Sequence, residues 1–222
     1  MLPSAESSSD STVSDSIVKE ALARNDRYLR EFIEGLHICP YARGCREEGR
    51  LYRQVLLDRA TDAPRVAALI SELDAKEEIE VGLLIFPLLQ IEARAFERFI
   101  SELRTRYAAG RTTPVGYFIV AFHPELPLQM KNPDVAVRFM RRSPDPTIQL
   151  VRPSAIERAR QGARDPEALS RHIAEAGLRA VLAVGPERVA SLLSSLRAPA
   201  AAPPASPPEP TRAAEPHRPA AE

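Results

Sequence analysis

The stretch GLHICPYARGC, residues 35–45, holds both cysteines of the chain and one of its four histidines. A thiol here could serve as nucleophile, metal ligand or redox centre, and each role makes a different demand on its surroundings. A nucleophilic Cys39 needs its thiolate stabilised by a cation or a hydrogen bond. The cations on offer are Arg43, Arg46, Arg141 and Arg142. His123, which follows the apolar run GYFIVAF and is held by Pro124, is the candidate general base or the partner that activates Cys39. The plainer readings are a small buried hydrophobe at a helix end for Cys39 and a backbone-satisfied strand-end residue for His123. Cys45, preceded by Gly44 and followed by Arg46, Glu47 and Glu48, is expected to be exposed.

The redox and metal readings fare worse. CPYA resembles the C-P-Y-C of glutaredoxins, but that motif opens a helix after a strand, where the dipole lowers the thiol pKa. Here the motif is expected to follow a helix and precede a strand, and Ala42 stands in place of the second cysteine. The spacing His37-x-Cys39-x5-Cys45 lacks the short cysteine pairs of structural zinc sites, and no second pair exists, so no metal ligand is assigned. A Cys-Pro pair also marks some haem-binding proteins; that dipeptide is too short to name a cofactor. A disulfide between Cys39 and Cys45 stays open.

The segment RRSPDPT, residues 141–147, is the richest for binding. Arginine forks take carboxylate or phosphate bidentately, and hydroxyls complete an oxyanion site. Arg142, Ser143 and Thr147 are therefore the candidate ligand contacts, with His37 counted beside them and Lys131 and Asn132 close in sequence. The plainer reading is a solvated turn before an edge strand.

These residues need a scaffold, and apolar spacing supplies one. Ile17, Val18, Ala21, Leu22, Leu29, Phe32, Ile33 and Leu36 recur with helical period, with Ser14, Asp15 and Ser16 as capping oxygens and Gly35 near the close. Residues 51–58, 80–87, 115–124 and 147–151 read as strands. Helices are expected from Asp62 and Pro64, along the Phe96–Phe99–Ile100–Leu103–Tyr107 stripe, from the Ser154–Glu157 capping box, from Asp165 to Gly177, and over residues 187–197. The run LRAVLAV fits either strand or helix. Strands alternating with helices predict an α/β layered domain, a central mostly parallel or mixed sheet of about four strands with flanking helices. The fourth strand is free to join antiparallel. Candidate sites in such sheets gather at the carboxyl ends of the strands.

Composition bounds the rest. Residues 1–15 are Ser- and acid-rich and residues 198–222 are Pro- and Ala-rich; both are expected to be disordered, leaving one α/β domain over residues 16–197. Thirty basic and thirty acidic residues cancel, and Trp is absent, which argues against nucleic acid and anionic membranes as partners. No apolar run approaches the ~18 residues of a membrane span, and no signal peptide is visible, so a reduced, bacterial-type cytoplasm is expected. The Pro-rich tail offers PxxP-like segments to other proteins. No Gly-rich phosphate loop occurs among nine glycines.

Three stretches, GLHICPYA, AFHPELPLQ and RRSPDPTIQLVRPSAIERA, together resemble a bacterial family of unknown function marked by GLxLCPFA, SFHPDYQF and NRSPYPTLHLLREASVERA. The likeness runs over about residues 17–178. It implies that Cys39, Pro40, His123, Pro124, Arg142, Ser143, Pro144, Pro146 and Thr147 are the family's site residues. The chain departs from those motifs at His37 (Asn in the motif), Arg141 (Asn), Asp145 (Tyr) and Gln149 (His), and its loop over residues 128–141 lacks the usual Gly and Thr. Two functional readings follow: a small thiol-dependent enzyme acting on an anionic molecule, or a non-catalytic binding domain for a small anionic ligand or partner protein. A metal- or haem-binding protein is the third.

Overall fold

The computed structural model describes residues 7–109, 111, 116–127, 132–161, 165 and 167–198. The Pro-rich tail expected to be disordered lies outside the described residues, apart from Ala198. Four short strands form a mixed sheet: β1 (Leu51–Val55), β2 (Val81–Ile85), β3 (Phe118–Phe122) and β4 (Thr147–Val151). Their order is β1-β2-β4-β3, with β1 parallel to β2 and β4 antiparallel to both β2 and β3. The fourth strand is thus central, not an edge. Its start, Thr147, pairs with Ile85 and Phe122, so the RRSPDPT loop sits at the carboxyl ends of β2 and β3.

Alternation along the strands sorts two cores. Leu84, Ile119, Ile148 and Leu150 face α3 (Ala63–Asp74) and α4 (Ala93–Ala109), whose Val66, Ile70, Leu73, Phe96, Phe99, Ile100 and Leu103 fill one layer. Asp62 caps α3 by accepting the Arg65 N–H at 3.0 Å, with Pro64 in the first turn, as the sequence suggests. Leu83 and Ile85 face the other layer, built by α1 (Ser7–Arg27), α5 (Pro133–Met140), α7 (Leu169–Val184) and α8 (Pro186–Arg197). Each fully buried Leu, Ile or Phe here contributes about 1.5–3 kcal/mol of burial free energy. Among the described residues no helix is long and apolar enough to cross a membrane.

Several boundaries differ from expectation, each for a packing reason. The first helix begins at Ser7, inside the segment read as disordered, because a helix anchored by buried Ala21 and Tyr28 propagates outward cheaply. It continues as a π-helical segment, Tyr28–Glu34, and Gly35 keeps a right-handed conformation; the chain reverses two residues later, at His37. An unforeseen six-residue helix, α2 (Ala42–Glu47), follows, so CPYA does precede a helix. Cys45 lies on its inner face and is buried, the opposite of the exposure expected. The polar, proline-bearing stretch before RRSPDPT hides α5, which Ala136, Phe139 and Met140 bury against the core.

α6 (Pro153–Gln161) begins at Pro153, one residue ahead of the serine expected to cap it. Gly177 does not close a helix; it lies within α7, where the Met140 thioether occupies the place a Cβ would need. LRAVLAV is helical, and α7 ends at Gly185, whose φ of 97° suits a residue without a Cβ. On the amino-end side of the sheet, Arg152 donates to the carbonyls of Ile79, Leu73, Asp74 and Lys76 and stacks over Tyr117, closing the C-terminus of α3.

Candidate functional site

At the carboxyl end of the sheet, His123 follows β3 directly and is 2% exposed. Its Nδ1 accepts the Glu125 N–H at 3.1 Å, which requires Nδ1 to be unprotonated and leaves Nε2–H to donate to the Ile91 carbonyl at 3.0 Å. Burial pushes its pKa below the usual imidazole range, against the pull of the Ile91 hydrogen bond. Both nitrogens are therefore spent on backbone, and the ring packs 5.7 Å from Phe96. His123 joins the loop after β2 to the turn after β3.

The neighbouring loop is also largely self-satisfied. The hydroxyls of Ser143 and Thr147 both donate to the Asp145 carbonyl, at 2.5 and 2.9 Å, and both residues are buried. The Asp145 carboxylate takes a bidentate fork from Arg24 of α1, at 3.2 and 3.1 Å, with each side chain 12% exposed. Arg142 differs. Its Nε donates to the Pro124 carbonyl at 2.9 Å, yet no carboxylate among the described residues lies within ion-pair distance of its guanidinium. Burial lowers its pKa and the nearby positive charge of Arg197 adds to this, against the pull of the Glu125 carboxylate.

The thiols lie at the other end. The Cys45 carbonyl accepts the N–H of Arg50, the residue before β1, and the Arg50 carbonyl in turn accepts from Glu80 and Val81 at the start of β2. Cys39 sits between the π-helical segment and α2 and packs on the same core layer, with Cys45 close enough to feel its charge. A five-residue strand separates this end from His123 by about 13 Å, four rises of ~3.3 Å. Among the described residues no hydrogen bond joins Cys39 to His123 or to Arg142. Burial raises the Cys39 thiol, outweighing the backbone N–H groups of Tyr41 and Ala42, and pushes Cys45 up to about 11. The arginines that might have stabilised a thiolate are engaged elsewhere. Arg46 forks onto buried Glu34 at 2.7 and 2.9 Å, and Arg43 reaches the same carboxylate at 3.5 Å. Both cysteines are free thiols.

His37 is exposed and takes φ of 52°. The Ile38 N–H bonds the Ile33 carbonyl at 2.9 Å and the His37 N–H bonds that of Glu34 at 3.2 Å, the two bonds of a Schellman close with His37 at its left-handed position. Its role is in the backbone. His37→Gly is expected to stabilise the protein by about 0.5–1 kcal/mol, because an L-residue pays for that conformation and glycine does not. His37→Val should destabilise instead; urea midpoints of the two variants check the pair, and a destabilised glycine variant would contradict the assignment.

The family model described as a protein of unknown function, DUF1415, matches residues 20–181, from the first helix through most of α7. The chain belongs to the DUF1415 family. No curated protein and no solved structure matches it significantly. Within this DUF1415 chain, two of the residues singled out above have a structural reading. Asn, like Gly, tolerates the left-handed position held by His37, and Asp145 is the residue that receives Arg24.

Sequence reasoning missed Arg24, which forks onto Asp145, and also Arg104 and Arg138, which bond the Ile119 carbonyl and Glu97. No local pattern marks them, since they come from separate helices. It also missed a cleft of about 280 Å³ between the end of β1 and α3, floored by Leu56, Val66 and Phe86 and rimmed by Gln54, Asp58 and Arg65. An ion pair between Asp58 and Arg65 crosses its rim. Among the described residues no three His, Cys, Asp or Glu side chains converge on a metal position.

Proposed function

We propose that this domain binds a small anion at the carboxyl end of its sheet, with Arg142 as the anchor, and that neither cysteine takes part in chemistry. The observation that carries this reading is the half-buried Arg142 guanidinium. It is aimed by its bond to the Pro124 carbonyl, has Arg197 and Glu125 as its charged neighbours, and forms no ion pair among the described residues. A cation removed from water in this way is stabilised by an incoming oxyanion more than an exposed one would be. Ser143 and Thr147 are positioning residues here: their hydroxyl protons go to the Asp145 carbonyl, so they shape the loop and do not donate to a ligand. The thiol-enzyme reading finds no support in a raised thiol pKa and a histidine whose two ring nitrogens both bond to backbone.

The test is thermal unfolding in sodium phosphate against sodium chloride at equal ionic strength. Phosphate at about ten times its Kd should stabilise by roughly 1.4 kcal/mol, a rise of about 3–5 °C in Tm. Arg142→Gln should remove much of that rise, and Arg142→Lys should retain part of it. An unchanged rise in Arg142→Gln would place the anion elsewhere.

A further inference from the structure

The cleft between the end of β1 and α3 does not have Arg142 in its lining. Its floor is made by Leu56 and Phe86, the residues that directly follow β1 and β2, with Val66 of α3 beside them. The ladder carries on into this floor, since the Leu56 N–H donates to the Ile85 carbonyl at 2.8 Å. Ala60 and Ala68 stand on the walls, where larger side chains would fill the space of about 280 Å³. That volume is close to the lower end of the ~300–1,000 Å³ of small-molecule sites. The carboxyl end of a parallel strand pair is also where such sites gather in α/β sheets.

The polar lining is lopsided in charge. Asp58, Asp62 and Glu72 are carboxylates, and Arg65 is the one cation among the lining residues. A second cleft across the 58–62 loop adds Arg59 and Glu102, so the surplus stays acidic there too. Two of the acceptors are already used within the chain. Gln54 Oε1 takes the Tyr52 hydroxyl at 2.8 Å, and Asp62 Oδ1 takes the Arg65 N–H at 3.0 Å, which satisfies the start of α3. Asp58 differs: its side chain is 23% exposed, and its ion-pair partner is the Arg65 guanidinium, on a side chain 60% exposed. A pair with so exposed a partner is worth only about 0–1 kcal/mol, so the arginine is readily displaced. Among the described residues the carboxylates do not converge as metal ligands. Their charge suits an organic cation that hydrogen-bonds.

We infer that this cleft binds a small organic amine, its ammonium replacing the Arg65 guanidinium on Asp58 and its apolar body lying on Leu56, Val66 and Phe86. Arg65 is the lid: it holds Asp58 when no amine is present and turns into solvent when one enters. The apolar body supplies affinity by leaving water, and the carboxylate selects the charge. The site has the opposite charge preference to the one at Arg142 and stands independently of it.

The experiment is a ligand-observed NMR titration of the full chain at fixed ionic strength. The probes are phenethylamine, phenylacetate (the ring with the opposite charge) and ethylamine (the charge without the ring). Phenethylamine should bind once per chain, about tenfold tighter than either of the others. Asp58→Asn should weaken it about tenfold. Arg65→Gln should tighten it several-fold because the competing cation is gone, a gain that a purely structural ion pair would not give. Ala68→Leu, which fills the wall, should weaken it without altering a charge, and Arg142→Gln should leave it unchanged. No binding of phenethylamine to the wild-type chain would overturn the site, as would an affinity unchanged in both Asp58→Asn and Ala68→Leu. Phenylacetate bound as tightly as phenethylamine would overturn the choice of an amine.

Discussion

Replacing His123 with alanine is expected to lower stability by about 2–4 kcal/mol, although this histidine is the residue a sequence reader first nominates as a catalytic base. Two backbone groups bond its buried ring, the Ile91 carbonyl and the Glu125 N–H. The two lost hydrogen bonds cost about 1 kcal/mol each, and truncating a buried ring that packs on Phe96 adds a cavity. Urea unfolding of the variant measures the loss, and a change below 1 kcal/mol would mean that the two bonds are not what holds the loops together. The same geometry sets a pH dependence. The imidazole pKa is lowered on folding, so its contribution is fully present above the unfolded value near 6.5. It is lost as pH falls from there through the folded pKa, because a protonated Nδ1 would confront the Glu125 N–H donor. The wild-type protein should therefore lose stability below about pH 6.5 more steeply than His123→Ala.

Glu34→Ala should cost about 3 kcal/mol and loosen the cysteine end of the molecule. The Glu34 side chain is 4% exposed and receives a bidentate fork from Arg46, with Arg43 beside it. That contact ties α2 to the end of the π-helical segment and thereby keeps Cys45 inside. Removing the carboxylate leaves Arg46, itself 21% exposed, to recover some hydration, which keeps the loss near the lower limit for a broken buried pair. The Arg46 hydrogen bonds hold the Glu34 pKa below the usual carboxylate value. Its contribution is therefore present above the unfolded pKa near 4.3 and is lost as pH falls through the folded one. Acid unfolding should be correspondingly shallower in the variant. Alkylation of native Cys45 by iodoacetamide, slow while the thiol is buried, should accelerate in Glu34→Ala; an unchanged rate would show that the ion pair does not hold α2 closed.

Function and fold were legible to different degrees, and particular residues show why. α3 and α4 could be read from apolar spacing because each presents one continuous stripe to a single layer, as Phe96, Phe99, Ile100 and Leu103 do. β4 was readable in its span but not in its place, since five residues of TIQLV carry no mark of which neighbours they pair with. α2 and α5 were missed because six and eight residues are too short for a period to stand out, and prolines nearby suggested loops. His123 was located correctly at a strand end. Its role depended on Ile91, far away in the chain, and on the hydrogen-bond direction set by the Glu125 N–H.

The sequence by itself determined the layered α/β class, the absence of an apolar span, the resemblance to a family and the RRSPDPT loop as the segment richest in groups for binding. Those properties rest on composition and on patterns a few residues long, which local physics reads directly. Only the tertiary structure decided that both ring nitrogens of His123 bond to backbone, that Ser143 and Thr147 spend their protons within their own loop, and that Asp145 receives Arg24. The reason is strand direction and order: reactivity depends on which groups meet, and that follows from pairings between segments whose separation along the chain carries no such information.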